Sequence, residues 1–217
     1  MNTPIATPDS PARSRRTPRA SGDERERAIL ATAERLLEKR SLSEISVEDL
    51  AKGAGISRPS FYFYFASKDA VLLTLVERMV EEAAALREAE LARIPEDPRA
   101  GLRLTLQGSF EVFGSRRAVT LAAAELRTTN AEARQLWSQV MEGWIADATA
   151  VIEAERARGA APAGPPARDL ATALIQMNER AHYATFSGEQ PALADAQLLD
   201  VLVEIWMRAI YGTNLDA

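Results

Sequence analysis

The stretch from Gly55 to Asp69, GISRPSFYFYFASKD, leaves this chain few ways to fold. Gly53 and Gly55 give the backbone freedom for a sharp bend. Ser57 suits a helix N-cap, because its hydroxyl accepts a bond from a first-turn amide that has no helical partner. Pro59 falls in that first turn, where a missing N–H leaves nothing unsatisfied. Phe61 and Phe65, four apart, share one helical face and are expected to point inward. Ser57, Arg58 and Ser60 fall elsewhere, on short or polar side chains that a groove admits. Tyr62, Tyr64 and Lys68 add hydroxyls and a cation beside them.

Just upstream, Ser46-Val47-Glu48-Asp49 reads as a helix start, with a capping residue and a carboxylate three positions later. Val47, Leu50, Ala51 and Ala54 then recur at helical spacing. A short helix ending near Gly53, a turn, and a second short helix from Ser57 make a helix-turn-helix, whose second helix lies in the DNA major groove. The candidate DNA-binding residues are Ser46, Ser57, Arg58, Ser60, Tyr62, Tyr64 and Lys68. Arg58 and Ser60 are assigned to base edges or flanking phosphates, the two tyrosines and Lys68 to phosphates. The stretch resembles the helix-turn-helix of the TetR family of repressors, in which Gly-Ile-Ser, Phe-Tyr, Tyr-Phe and Ser-Lys-Asp/Glu recur in this order. The resemblance implies a regulator of transcription that binds double-stranded operator DNA.

With 217 residues, 47% of them hydrophobic, the chain is long enough for one large or two small domains and a sizeable core. It has no Cys, which excludes disulfides, Cys-based zinc sites and a Cys nucleophile. Its single His, His182, is the one candidate base for a Ser-His-Asp triad, and no Gly-x-Ser-x-Gly elbow accompanies it. Nothing calls for a metal or cofactor. No apolar run approaches membrane-spanning length, and the arginines near the N-terminus precede no apolar stretch, so a cytoplasmic location is expected. The net charge of −5 is unevenly spread. Residues 1–70 carry 12 Lys and Arg against 10 Asp and Glu, and the remainder carry 14 against 21. The basic excess therefore coincides with the helix-turn-helix.

The expected fold is all-α, with about nine helices in three parts. Residues 1–20, rich in Pro, Ser, Ala and Arg, are expected to be a disordered arm, basic through Arg13, Arg15, Arg16 and Arg19. Residues 21–66 form a three-helix DNA-binding domain, opened by a capping box at Ser21-Gly22-Asp23-Glu24 and buried along Ile29, Leu30, Ala33, Leu36 and Leu37. Residues 67–217 form a larger helical domain. Ser67 caps its first helix, which runs without a linker to about Ala92, and Pro95 and Pro98 separate that helix from the next. Further helices are expected over 99–114, 119–127, from Asn130 to about Arg158, 167–187, and from about Pro191 to Tyr211. Trp137, Met141 and Trp144 share one face of the long helix. The last two helices carry apolar residues on more than one side, which calls for a second subunit, so a homodimer through those helices is expected.

The region after residue 100 also resembles one branch of the TetR family, through Phe110-Glu111 with Phe113-Gly114-Ser115, Val151-Ile152-Glu153-Ala154-Glu155-Arg156, Met177-Asn178-Glu179-Arg180 and Gly188-Glu189-Gln190-Pro191. That resemblance implies an apolar ligand tunnel, a homodimer, and a target promoter beside a monooxygenase gene. The tunnel positions it implies are Leu102, Phe110, Trp137, Met141, Trp144, Ile175, Asn178, Glu179, Tyr183 and Trp206. Members of that branch carry Trp where Leu102 stands and Asn where Ile175 stands, so the tunnel differs here and Asn178 becomes its main polar contact. The expected effector is an elongated, hydrophobic small molecule with one acceptor. The alternative is an all-helical enzyme acting on a hydrophobic small molecule. Against it, Glu153 and Glu155, two apart on a helix, do not face one another, and Glu179 beside Asn178 has neither nucleophile nor metal partner. A purely architectural DNA binder would need no pocket in the larger domain.

Overall fold

The computed structural model describes residues 22–91, 94 and 96–212, with the side chains of 86–90 left aside. The basic arm, Ser21 of the first capping box, Ala92 and Pro95 lie outside the described residues. Among these residues there are nine α-helices and no strand.

Helices α1 (Gly22–Leu37), α2 (Val47–Gly53) and α3 (Arg58–Phe61) form the N-terminal unit, with a 3-10 turn at Leu42–Glu44. Its helix starts are set locally. Ser46 accepts the amide of Asp49 at 3.1 Å, while its own amide donates to the Asp49 carboxylate at 3.0 Å. These bonds hold the exposed Asp49 carboxyl below its ordinary range, the backbone bond most of all. Ser57 accepts the amide of Ser60 at 3.2 Å, and Gly55 takes a φ of 69° at the bend, where a side chain would be strained. Phe61 is fully buried and Phe65 nearly so, their rings 6.0 Å apart.

Helix α4 (Lys68–Leu91) comes directly after Ser67, whose hydroxyl accepts the amide of Ala70 at 3.1 Å. Its first half packs into the N-terminal unit through Val71, Leu72 and Leu75. The same apolar cluster continues through Met79 into Phe113, Val119 and Phe186 of the larger domain. The helix-turn-helix therefore shares its core with the larger domain.

Helices α5 (Pro98–Ser115), α6 (Arg117–Leu126), α7 (Ala131–Ala157), α8 (Ala167–Ser187) and α9 (Asp195–Tyr211) complete the bundle. Asn130 caps α7, accepting the amide of Ala133 at 3.1 Å. A second apolar core joins α5, α7, α8 and α9 around Leu106, Ile152, Leu198 and Trp206. Its lower end is closed by Glu155, which is 1% exposed and accepts from the Tyr211 hydroxyl at 2.9 Å and from Nε of Arg158 at 2.8 Å. Burial, then the bond to Glu155, pushes the Tyr211 hydroxyl pKa up. One boundary departs from expectation. Helix α9 begins at Asp195, four residues after Pro191. Gly188 ends α8 with a φ of 73°, and the Thr185 hydroxyl donates to the carbonyl of Leu193 at 3.0 Å. That long-range bond holds the connection against α8 and delays the helix.

Candidate functional site

The outer surface of the helix-turn-helix is made by Ser57, Arg58, Pro59, Tyr62 and Phe63, all exposed, with Ser60 and Tyr64 half-buried. Arg58 forms no ion pair or side-chain hydrogen bond among the described residues, so its guanidinium points to solvent with all donors available. Ser57 and Ser60 share a hydroxyl–hydroxyl bond of 2.8 Å, and the Tyr62 ring meets Phe61 edge-on at 5.6 Å.

Two of the residues predicted for this surface are engaged elsewhere. Ser46 is closed into its capping box, its hydroxyl bonded to the Asp49 carboxylate at 2.8 Å. Lys68 donates to three carbonyls, those of Leu42 at 2.6 Å, Ile45 at 2.8 Å and Ser43 at 3.2 Å. Three bonds account for all three ammonium hydrogens. Lys68 thus ties the 3-10 turn to the start of α4.

Two small cavities lie in the larger domain. One of about 50 Å³ is walled by Val76 and Met79 of α4, Thr120 and Ala123 of α6, Trp137 of α7, and Tyr183 and Phe186 of α8. A second of about 80 Å³ is walled by Leu102 and Leu106 of α5, Ala148 of α7, Ile175 and Asn178 of α8, and Trp206 of α9. Phe113, Trp144, Glu179 and His182 belong to both walls, so the two spaces meet at these four side chains. The rings of Phe113, Trp137 and Trp144 form a mutual edge-to-face cluster, with centroids 5.7 to 6.2 Å apart.

Three polar features break the apolar lining. Asn178, 7% exposed, accepts from Nε1 of Trp206 at 3.0 Å. An indole only donates, so this bond fixes the amide with its oxygen toward Trp206 and its NH₂ turned away from that ring. Glu179 accepts from Arg127 at 2.5 Å, and the Arg127 guanidinium lies 5.1 Å over the Trp137 ring. His182 is stacked on Phe186 at 5.9 Å and tilted on Phe110 at 5.4 Å. Burial pushes its imidazole down to about 4, which keeps it neutral at physiological pH.

Of the predicted tunnel residues, eight line one cavity or both: Leu102, Trp137, Trp144, Ile175, Asn178, Glu179, Tyr183 and Trp206. Phe110 and Met141 do not. Phe110 packs behind the wall, against His182 and Phe186, and bridges the two apolar cores. The cavity face of α7 runs through Trp137, Trp144, Ala148 and Val151, which leaves Met141 at its edge. Sequence reasoning missed Phe113 and His182. A signal for His182 existed, since Ile175, Asn178, Glu179, His182 and Phe186 recur at three- and four-residue steps on one face of α8.

Comparisons with known proteins agree with this arrangement. Residues 29–75 match the model for bacterial regulatory proteins of the tetR family. Residues 102–212 match that for the C-terminal domain of transcriptional regulator EthR. The HTH-type transcriptional regulator EthR of Mycobacterium tuberculosis (strain ATCC 25618 / H37Rv) is 56% identical over 216 residues, 99% of this chain and 100% of the relative. That of Mycolicibacterium smegmatis (strain ATCC 700084 / mc(2)155) is 49% identical over 201 residues, 93% of each. Among solved structures, the regulator FadR from Bacillus subtilis in complex with stearoyl-CoA superposes with a TM-score of 0.65 at 18% identity, covering 87% of this chain and 99% of that one. A TetR-family regulator from Syntrophomonas wolfei gives a TM-score of 0.71 at 16% identity, covering 90% and 100%. These two likenesses speak for the fold.

Proposed function

Since this chain belongs to the TetR family of bacterial regulatory proteins, in its EthR branch, and is a transcriptional regulator rather than an enzyme, we propose that it grips operator DNA as a homodimer and is released by a hydrophobic small molecule filling the two adjoining cavities. The observation that carries this reading is the position of α4. Val71, Leu72 and Leu75 of that helix pack into the helix-turn-helix core, and Val76 and Met79, one turn on, line the first cavity. A molecule filling that cavity presses on the helix that holds the recognition element.

Residues 21–66 serve as the DNA-binding domain and residues 67–217 as the ligand-binding and dimerisation domain. Arg58 and Ser60 face base edges, with Tyr62 and Tyr64 on phosphates. Lys68 contributes by fixing the turn behind them. The dimer forms through α8 and α9, where Val201 and Ile205 are each 37% exposed on a helix otherwise rich in buried apolar residues. Paired recognition helices would then lie about 34–36 Å apart, or a multiple of it, on a two-fold operator. The resemblance to the EthR branch supports a target promoter near a monooxygenase gene.

The effector is elongated and apolar, with one acceptor for the Asn178 NH₂. Stearoyl-CoA, held by the Bacillus subtilis FadR of the same fold, joins an acyl chain to a carbonyl in the same manner. Such a ligand shifts the protein off DNA only by binding the spread dimer more tightly than the DNA-competent one. The test is a gel shift on DNA upstream of this gene and its neighbours, with and without long-chain esters, ketones or amides. Retarded DNA that the apolar compounds release, together with Trp quenching, is expected. Quenching with undiminished DNA binding would overturn the switch.

A further inference from the structure

Phe63 stands out among the apolar side chains of this molecule. It is 86% exposed, and the next large apolar residue, its neighbour Tyr62, is 49% exposed. The remaining exposed large hydrophobics, Leu193, Val201 and Ile205, fall on α9 and just before it, on the face assigned to the dimer. The flanking rings behave otherwise. Phe61 and Phe65 are buried against each other, and Tyr62 meets Phe61 edge-on, whereas Phe63 has no ring partner among the described residues. Its exposure is held in place rather than loose. The Phe63 amide donates to the carbonyl of Ser60 at 3.3 Å, and the amides of Tyr64 and Phe65 both donate to the carbonyl of Phe61, at 2.9 and 3.1 Å.

We propose that Phe63 is a specificity-determining residue that reads the C5-methyl group of a thymine in the operator major groove. This rests on the operator-binding reading above. A phenyl ring has neither donor nor acceptor, so it cannot hold a phosphate as Tyr62 or Arg58 can. The apolar surfaces a duplex offers are the deoxyribose and the thymine methyl, and of these the methyl alone distinguishes one base pair from another in the major groove. Phe63 stands two residues after the end of α3, in the same exposed stretch as Arg58, Pro59 and Tyr62, so a groove that admits this stretch meets the ring. Leaving so large an apolar surface in water has no folding advantage, and a docking surface is the physical use for it.

The test uses the full chain and an operator selected from random duplexes, with each thymine replaced in turn by deoxyuridine, which lacks only the methyl. Wild type, Phe63→Ala and Phe63→Leu are compared, with thermal unfolding confirming that all three fold alike. At one thymine per half-site the wild type should lose about fourfold in affinity on methyl removal, the worth of one buried methyl. Phe63→Ala should already be weakened on the natural operator and lose nothing more at that thymine, with Phe63→Leu between. If deoxyuridine costs the wild type and Phe63→Ala the same at every position, the inference is overturned, and Phe63 serves a sugar or a protein partner instead. Failure of the wild type to retain any duplex would overturn the operator reading itself, and this inference with it.

Discussion

At the tip of the molecule polar groups turn inward and a ring is left outside; in the larger domain rings turn inward and space is left between them. Ser46, Ser57 and Lys68 all serve backbone partners within the N-terminal unit, while Phe63 faces solvent. Trp137, Trp144 and Phe113 pack edge to face beside two small cavities, with a fixed amide at Asn178 and a neutral His182 in the wall. Protein interiors ordinarily close to crystal density, and soluble surfaces ordinarily hide their largest rings. The exposed ring and the two cavities are where the proposed operator and effector are placed.

If the tip is densely packed and the interior keeps two small cavities, truncation should hurt most at the tip. Phe61→Ala should cost about 3–5 kcal/mol in denaturant unfolding, because no neighbour can collapse into the space of a fully buried ring. A loss below about 1 kcal/mol would mean that the N-terminal unit packs loosely.

The interior carries a pH signature of its own. His182 titrates near 4 in the folded chain and near 6.5 when unfolded. Between those values the unfolded chain binds the extra proton, so stability is intact above about pH 6.5 and is lost as pH falls toward 4. The loss should approach about 3 kcal/mol. His182→Phe should flatten that part of the curve, and an unchanged slope in the variant would place the acid sensitivity elsewhere.

The polar residues of the tip separate by role. Arg58→Ala should cost about 1–3 kcal/mol of operator affinity and relax preference at one position, as read by binding to single-base operator variants. Lys68→Ala should instead lower folding stability by about 1.5–3 kcal/mol through the three carbonyls it abandons. Its salt dependence of DNA binding should keep the wild-type slope. A slope reduced by about one would return Lys68 to the phosphates. The smallest effect on DNA belongs to the interior: Asn178→Ala should leave operator affinity nearly unchanged without ligand and blunt the response to an ester, as tracked by Trp quenching.

The same contrast between tip and interior shows what could be read in the sequence. Helix starts at Ser46, Ser57, Ser67 and Asn130 were legible because an N-cap is a bond across three residues, and all four hydroxyl or amide oxygens make it. The helix-turn-helix was legible for the same reason. The start of α9 was not, because the bond from Thr185 to Leu193 that delays it depends on tertiary placement. Nor was the occupation of Lys68, which required the carbonyls of Leu42 and Ile45 to converge on it across 26 and 23 residues. In the interior, spacing identified the inward face of α7, while the tunnel positions of α8 came from the resemblance to the EthR branch. Spacing could not say that Phe113 rather than Phe110 borders the void, since both occupy the inward side of α5 and only the packing of His182 and Phe186 separates them.

The link between the interior and the DNA-facing tip is tested most directly by filling the one and watching the other. Ile175 lines the second cavity beside Asn178, and Ile175→Trp places an indole where the ligand is proposed to lie. Operator binding is then titrated against a long-chain ester for wild type and variant. The wild type should hold operator and release it as the ester rises, while Ile175→Trp, its indole already in the ligand's place, should hold operator less well and change little as the ester rises. Equal release from both proteins would contradict the account, because the ester would then be acting without the cavity.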